Sequence, residues 1–317
     1  MLQVEVQKNL KNKANKKPKS YGAASQLWSI SGKRMRKMNT EEFLARYDAG
    51  QRDFLKSSLR NLSIRDRILE DVFLNQSDLV FSNFSKLTIE STDFSKSNLQ
   101  SAKFLRVDCL NSDLSDANCS NASFRGVSIK NTNLNRTNLQ KTEFLDSELI
   151  EVNMQEANCS ESNFYGIEVN NSDLSYANFS LSNLSVADFI NTNLSYADMR
   201  GANLRQADLS GCNLSYANLG NSDLSYACLD RADLTNAILK GANLSHASLR
   251  EANLRYTSEG VNLEEAVDLK NAEAANLKNA QVYAGIFHNA IVYYTIMPNG
   301  ELITTLEYGS LKCWNSH

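Results

Sequence analysis

The side chains best suited to acid–base, nucleophilic or metal chemistry are three histidines, His246, His288 and His317, and six cysteines. Their spacing does not support such chemistry. No CxxC pair or His/Cys cluster has the spacing of zinc ligands. No GxxxxGK[ST] or GxGxxG run could cradle a phosphate. His246 takes a position whose sister positions hold Tyr216 and Tyr226, and His288 follows Phe287 in the same outward sense. Both read as surface residues rather than general bases. No catalytic residue, metal site or cofactor is therefore expected.

The elements that would position any site follow from composition and pattern. The chain has 317 residues, 22% charged and 42% hydrophobic, with two prolines, Pro18 and Pro298. No apolar run approaches the roughly 18 residues of a membrane-spanning helix. The first twenty residues show no secretory h-region. The cysteines are too sparse for a disulfide scaffold. These features exclude a membrane-spanning, collagenous or cystine-stapled protein, and a cytoplasmic location is expected. The N-x-S/T sequons at Asn83, Asn118, Asn178 and elsewhere are by-products of a recurring Asn-Leu-Ser phrase, not glycosylation signals.

The net charge of −3 hides a gradient, from +7 over residues 1–51 to −6 over 52–257 and −4 over 258–317. Between Glu5 and Glu41 there is no acid. That stretch carries Lys8, Lys11, Lys13, Lys16, Lys17, Lys19, Lys33, Arg34, Arg36 and Lys37. It reads as a basic, flexible segment, 1–38. Lys16, Lys17, Lys19, Lys33, Arg34, Arg36 and Lys37 are the candidates for contact with an anionic partner.

From Phe54 to Leu254 every fifth residue is apolar, 41 in succession. The residue two earlier, from Val72 to Ala252, is always Ala, Ser, Thr, Val, Leu, Ile or Cys. A period of five fits neither a helix nor a simple strand. One large and one small inward residue in five suit a chain that turns a corner every five residues and stacks its coils into a solenoid. Phe84, Phe104, Phe124, Phe144 and Phe164 recur every twenty residues, as do Tyr176, Tyr196 and Tyr216, with Tyr256 on the same series. Twenty residues thus make one four-sided coil, and the repeats give about ten coils, a rod roughly 50 Å long at the usual strand spacing. The phenylalanines form the core. The tyrosines face outward as a candidate partner-binding strip, and Tyr226 falls on the opposite face. Cys109, Cys119 and Cys159 take the large inward position and read as small hydrophobes. Cys119 and Cys159 lie two coils apart, about 10 Å, too far to bond.

The runs Ala202-Asn203-Leu204-Arg205-Gln206, Ala207-Asp208-Leu209-Ser210-Gly211 and Ala232-Asp233-Leu234-Thr235-Asn236 resemble the A(D/N)LXX motif of the pentapeptide repeat family. The resemblance covers about 54–292. It implies an all-β fold, a right-handed quadrilateral β-helix. The family is abundant in cyanobacteria. It includes regulators acting through protein contacts and DNA-mimicking inhibitors of type II topoisomerases, and some members dimerise through one end.

Asn39-Thr-Glu-Glu42 reads as a capping box before Phe43, Leu44 and Tyr47, with Gly50 as the stop. A helical cap is expected over 39–53, then the solenoid over 54–256. The register slips after Leu254, so 257–274 reads as an interrupting loop and 275–292 as resumed repeats. Pro298-Asn299-Gly300 between apolar runs reads as the turn of a C-terminal hairpin within 293–317. Asp146, Glu151, Glu156 and Glu161 hold successive outward positions and would ring one coil with negative charge. The repeats nevertheless mix both signs, unlike a whole-surface DNA mimic. The leading expectation is a non-enzymatic scaffold or regulator that binds a protein partner. The alternatives are a topoisomerase inhibitor or protector, and nucleic-acid or membrane-surface contact through the basic segment. A homodimer through a solenoid end is implied by the resemblance, though both ends look capped.

Overall fold

The computed structural model describes residues 35–254, together with the backbone of four short strands between 291 and 308. Strand β1 (Arg36–Lys37) is followed by helix α1 (Thr40–Asp48) and β2 (Ser57–Ser58). Then come β3 (Ser63–Glu70), β4 (Asn83–Glu90), β5 (Lys103–Leu110), β6 (Ser123–Arg125) and β7 (Ser128–Lys130). They are followed by β8 (Glu143–Leu145), β9 (Glu148–Ile150), β10 (Glu168–Asn170) and β11 (Asp188–Ile190). From β3 to β11 every pairing is parallel and joins residues twenty apart, as Phe84 to Phe104 and Glu168 to Asp188. Isolated bridges carry the same register from Asp53 to Asn253, in four ladders through Asp53, Ser58, Asn163 and Asp188. The chain therefore closes one four-sided circuit every twenty residues. It is a mostly-β solenoid of at least eight turns with one short N-terminal helix.

Each side repeats one solution to the backbone's hydrogen-bonding needs. Leu134 donates its N–H to Asn153 O of the next coil, and Asn133 donates to Ser112 O of the previous one. Thr137 N–H returns to Leu134 O, which closes the corner. The corner residue, Arg136, has φ +55°, and its counterparts every five residues share this left-handed backbone. Asn and Asp lock the side. Asn133 Oδ1 accepts from Asn135 N–H, and Asn133 Nδ2 donates to Asp113 Oδ1 one coil back. Asn98, Asn118, Asn138, Asn158 and Asn178 form one continuous amide ladder.

The core holds the large and small inward residues from Phe54 to Leu254. Phe84, Phe104, Phe124, Phe144 and Phe164 stack face to face, with centroids 4.9, 4.8, 4.5 and 4.8 Å apart. Burying each such ring contributes about 1.5–3 kcal/mol. Ser and Thr are accepted in the small position because the backbone satisfies them. Ser77 Oγ accepts from Ser57 N–H and donates to Phe54 O.

Helix α1 starts at Asn39, whose side chain accepts from Glu42 N–H at 2.8 Å. The Glu42 carboxylate is engaged by Arg46 and lies 3.5 Å from Arg36. The helix ends in a Schellman arrangement: Gly50, at φ +92°, donates to Tyr47 O, and Gln51 N–H donates to Arg46 O. Phe43 is fully buried and meets Phe54 at 4.5 Å, which closes the first coil. One boundary is corrected. Arg36 and Lys37, placed above in a flexible segment, pair in parallel with Ser57 and Ser58, and Met38 N–H donates to Ser58 O. The first coil would otherwise expose an unpaired edge there, and the buried Met38 holds the segment down.

Beyond the solenoid, β12 (Ile291–Val292) pairs antiparallel with β15 (Glu307–Tyr308), and β13 (Thr295–Ile296) with β14 (Leu302–Ile303). The Pro298-Asn299-Gly300 turn, the loop at 257–274 and the resumed repeats before Ile291 lie outside the described residues.

Candidate interaction surface

The outward sequence positions divide into flat sides and corners. Tyr176, Tyr196 and Tyr216 occupy the same corner of successive coils, at φ +61°, +60° and +60°. A bulky residue in left-handed backbone costs roughly 1–2 kcal/mol. Gly126, Gly166, Gly201, Gly211 and Gly241, and asparagines such as Asn121 and Asn131, fill other corners at less cost, while Phe81, Leu181 and Val186 bear the same strain. The tyrosines offset that strain partly by stacking, 4.7 Å apart at 6° and 4.7 Å at 1°. They remain 57%, 45% and 49% exposed. The mutual burial of the phenols raises the pKa of Tyr196, the middle ring. The two flanking sides carry mixed rows, Asp173–Asn193–Asn213–Asp233 on one and Asn178–Asp198–Asn218 on the other, and Asn193 Nδ2 donates to Asp173 Oδ1. The Asp198–Arg200 pair on the next side is self-neutralised, which depresses the Asp198 carboxyl.

At the opposite corner Tyr226 stacks on His246 at 4.6 Å, and Arg205 lies over the Tyr226 ring at 4.7 Å. His246 is exposed. The structure thus brings together the three tyrosines and, separately, the five phenylalanines. Tyr256, Lys16, Lys17, Lys19, Lys33 and Arg34 lie outside the described residues. Arg36 and Lys37 are exposed on β1.

Asp146, Glu151, Glu156 and Glu161 sit at four successive corners. Cations one coil away temper two of them: Lys141 reaches Glu161 at 3.4 Å, and Arg136 stands between Glu156 and the Asp116 it binds at 2.7 Å. A second acidic feature runs along the rod instead of around it. Glu148, Glu168, Asp188 and Asp208 are direct neighbours across successive strands. Lys130 and Ser128 bind Glu148 and depress its pKa. Partial burial, Asp208 and Glu168 raise the pKa of Asp188. Reading the acids in chain order missed this ladder, although their twenty-residue spacing was a usable signal.

Among the described residues no group of three or more His, Cys, Asp or Glu could hold a metal ion. Burial pushes the Cys109 thiol up to about 11 and those of Cys119 and Cys212 to about 12. Such thiols make poor nucleophiles. No helix among the described residues is long and apolar enough to cross a membrane.

A four-sided parallel solenoid built on a five-residue unit defines a class of repeat protein. The chain belongs to the pentapeptide repeat family: the model of pentapeptide repeats matches it over 92–225 and 227–258. HetL, a pentapeptide repeat protein involved in heterocyst differentiation regulation in the cyanobacterium Nostoc sp. strain PCC 7120, is 27% identical. That alignment covers 84% of this chain and 99% of HetL, with a TM-score of 0.30. A pentapeptide repeat protein of the Arabidopsis thaliana thylakoid lumen is 30% identical over 36% of this chain and 76% of its own, with a TM-score of 0.25. Full-length QnrB1, a plasmid-mediated fluoroquinolone resistance protein, is 18% identical over 64% and 90%, with a TM-score of 0.34. No curated protein sequence matches.

Proposed function

We propose that this chain is a non-enzymatic, cytoplasmic interaction scaffold or regulator. Its solenoid is a right-handed quadrilateral β-helix of about ten coils that presents flat sides and an aromatic corner to a protein partner. One observation carries the reading: three half-exposed tyrosines are kept in left-handed corners where glycine or asparagine would be more stable. Exposed, ordered aromatic rows are characteristic of protein contact sites. The test is affinity capture with full-length protein and with a Tyr176→Asn, Tyr196→Asn, Tyr216→Asn variant, which keeps corner-compatible residues. Partners held by the native chain should be lost from the variant. Equal capture by both would overturn the reading.

A second reading, a DNA-mimicking inhibitor or protector of a type II topoisomerase, is favoured by the ladder Glu148–Glu168–Asp188–Asp208. The mixed charge elsewhere on the rod weighs against it. A supercoiling assay decides: no effect at micromolar protein removes this reading. Contact with an anionic surface through Lys16, Lys17, Lys19, Lys33, Arg34, Arg36 and Lys37 would show as steep salt dependence that deletion of residues 1–34 reduces.

A further inference from the structure

The tyrosine corner repeats at the spacing of stacked β-strands. Its rings repeat every 4.7 Å because each sits on a successive strand of the coil. Stacking hides the ring faces and leaves a row of edges and phenol groups at the apex of the corner. A surface that engages all three rungs at once needs the same rise. We propose that the occupant is a second copy of this chain, packed antiparallel so that the two tyrosine columns lie along each other about a two-fold axis through Tyr196. This rests on the reading of the tyrosine column as a contact surface and names its partner.

Three observations support this choice. First, a second copy has the required rise by construction, so its Tyr216 meets Tyr176 wherever Tyr196 meets Tyr196, the self-complementary pattern of a two-fold interface. Second, the column's continuation fits only one orientation. Glu156 and Asn236 are the next corner residues on either side of the tyrosines. A parallel pair would set Glu156 against its own copy. The antiparallel pair sets Glu156 against Asn236 and opposes no like charges along the column. Third, the strongest like-charge feature is turned away. The ladder from Glu148 to Asp208 lies on a side that does not border the tyrosine corner, and of the acids on the bordering sides Asp173 accepts from Asn193 and Asp198 is paired with Arg200. Two copies can therefore approach at this corner without setting that ladder against itself, and the bordering Asp198 is neutralised by Arg200.

The experiment uses the full chain. Sedimentation velocity over a concentration series should show a monomer–dimer equilibrium. Tyr196→Asp, which places two carboxylates on the axis, should shift the dissociation constant at least tenfold, while Tyr196→Asn weakens association less. Circular dichroism and thermal melting establish that both variants keep the fold. Orientation is read by oxidative cross-linking in a Cys228→Ser, Cys313→Ser background. Tyr196→Cys should link to itself, and Tyr176→Cys should link to Tyr216→Cys in a mixture. Tyr226→Cys, at the opposite corner, should not link. A monomer at all concentrations up to about 100 µM overturns the proposal, as does a dimer indifferent to Tyr196→Asp or a Tyr176→Cys self-link in place of the mixed one. The broader reading fails separately. If the chain is monomeric yet the triple Asn variant loses a different captured protein, the column is still a contact surface and only its occupant was wrong. If neither self-association nor capture depends on the tyrosines, both readings fall.

Discussion

Tyr196 lies 4.7 Å from Tyr216 with ring planes 1° apart, and both residues hold left-handed backbone at φ +60°. The stack and the strain have one origin. The corner position projects its side chain outward, and the next coil repeats that projection one strand spacing away. A ring in this backbone gains a stacking partner when another ring stands at the same corner twenty residues away, as Tyr226 does in His246. Three tyrosines in succession give the middle ring a partner on both faces.

The inner counterpart of that column should carry far more of the stability. Phe124 is buried between Phe104 at 4.8 Å and Phe144 at 4.5 Å. Phe124→Ala removes both contacts and leaves a cavity in a core that cannot collapse around it. The expected loss is about 3–5 kcal/mol. Equilibrium urea denaturation followed by far-UV circular dichroism checks it.

The amide ladder should be cooperative and local. Asn138 Oδ1 accepts from Gln140 N–H at 3.1 Å and from Asn158 Nδ2 at 3.4 Å, while its Nδ2 donates to Asn118 at 3.2 Å. Asn138→Ala leaves those groups without partners and should cost about 1–3 kcal/mol. Hydrogen exchange should show faster exchange at Gln140 and in the adjoining coils, with distant coils unchanged.

Corner strain should be recoverable where nothing stacks. Val186 is β-branched, 45% exposed and at φ +60°. Val186→Asn should stabilise the chain by about 1 kcal/mol by removing the left-handed penalty. A rise in the urea midpoint without a change in slope checks this.

Two carboxylates on one ladder should respond to pH in opposite ways. Glu148 has its folded pKa lowered, first by Lys130 and then by Ser128, so it binds fewer protons folded than unfolded. Its contribution is present above the ordinary carboxylate pKa and is lost as pH falls through the depressed folded value. Asp188 has its folded pKa raised, first by burial and then by Asp208 and Glu168. Between its ordinary value and the raised one the folded state binds more protons, so stability falls as pH rises through that window and stays reduced above it. Asp188→Asn should therefore raise the denaturation midpoint at pH 7 relative to the native chain and by less at pH 3. Glu148→Gln should lower it at pH 7 and converge with the native chain in acid.

Much of the fold was legible because a five-residue period leaves few alternatives. The inward series from Phe54 to Leu254, the twenty-residue coil and the Asn39 cap all rest on local chemistry that the sequence states directly. The corner conformation was not read, although Gly126, Gly166, Gly201, Gly211 and Gly241 mark it at five-residue multiples. The cost at each non-glycine corner is distributed over many neighbours, so no single residue announces it. Asp and Asn were seen to recur without their reason, which is a bond to an N–H two residues on and to an amide twenty residues away. The pairing of Arg36 and Lys37 with Ser57 and Ser58 was also missed, because it depends on the open edge of the first coil and not on the two residues themselves. The tyrosine column was found as a geometric series, but its backbone strain and its ring stacking appear only in three dimensions.

The most direct test of the tyrosine column as the contact surface compares quantitative affinity capture by three full-length proteins. These are the native chain, the Tyr176→Asn, Tyr196→Asn, Tyr216→Asn variant, and Tyr226→Asn at the opposite corner. The account predicts that proteins captured by the native chain, its own copy among them, remain with Tyr226→Asn and disappear with the triple variant. Retention by the triple variant, or equal loss in both variants, would contradict it.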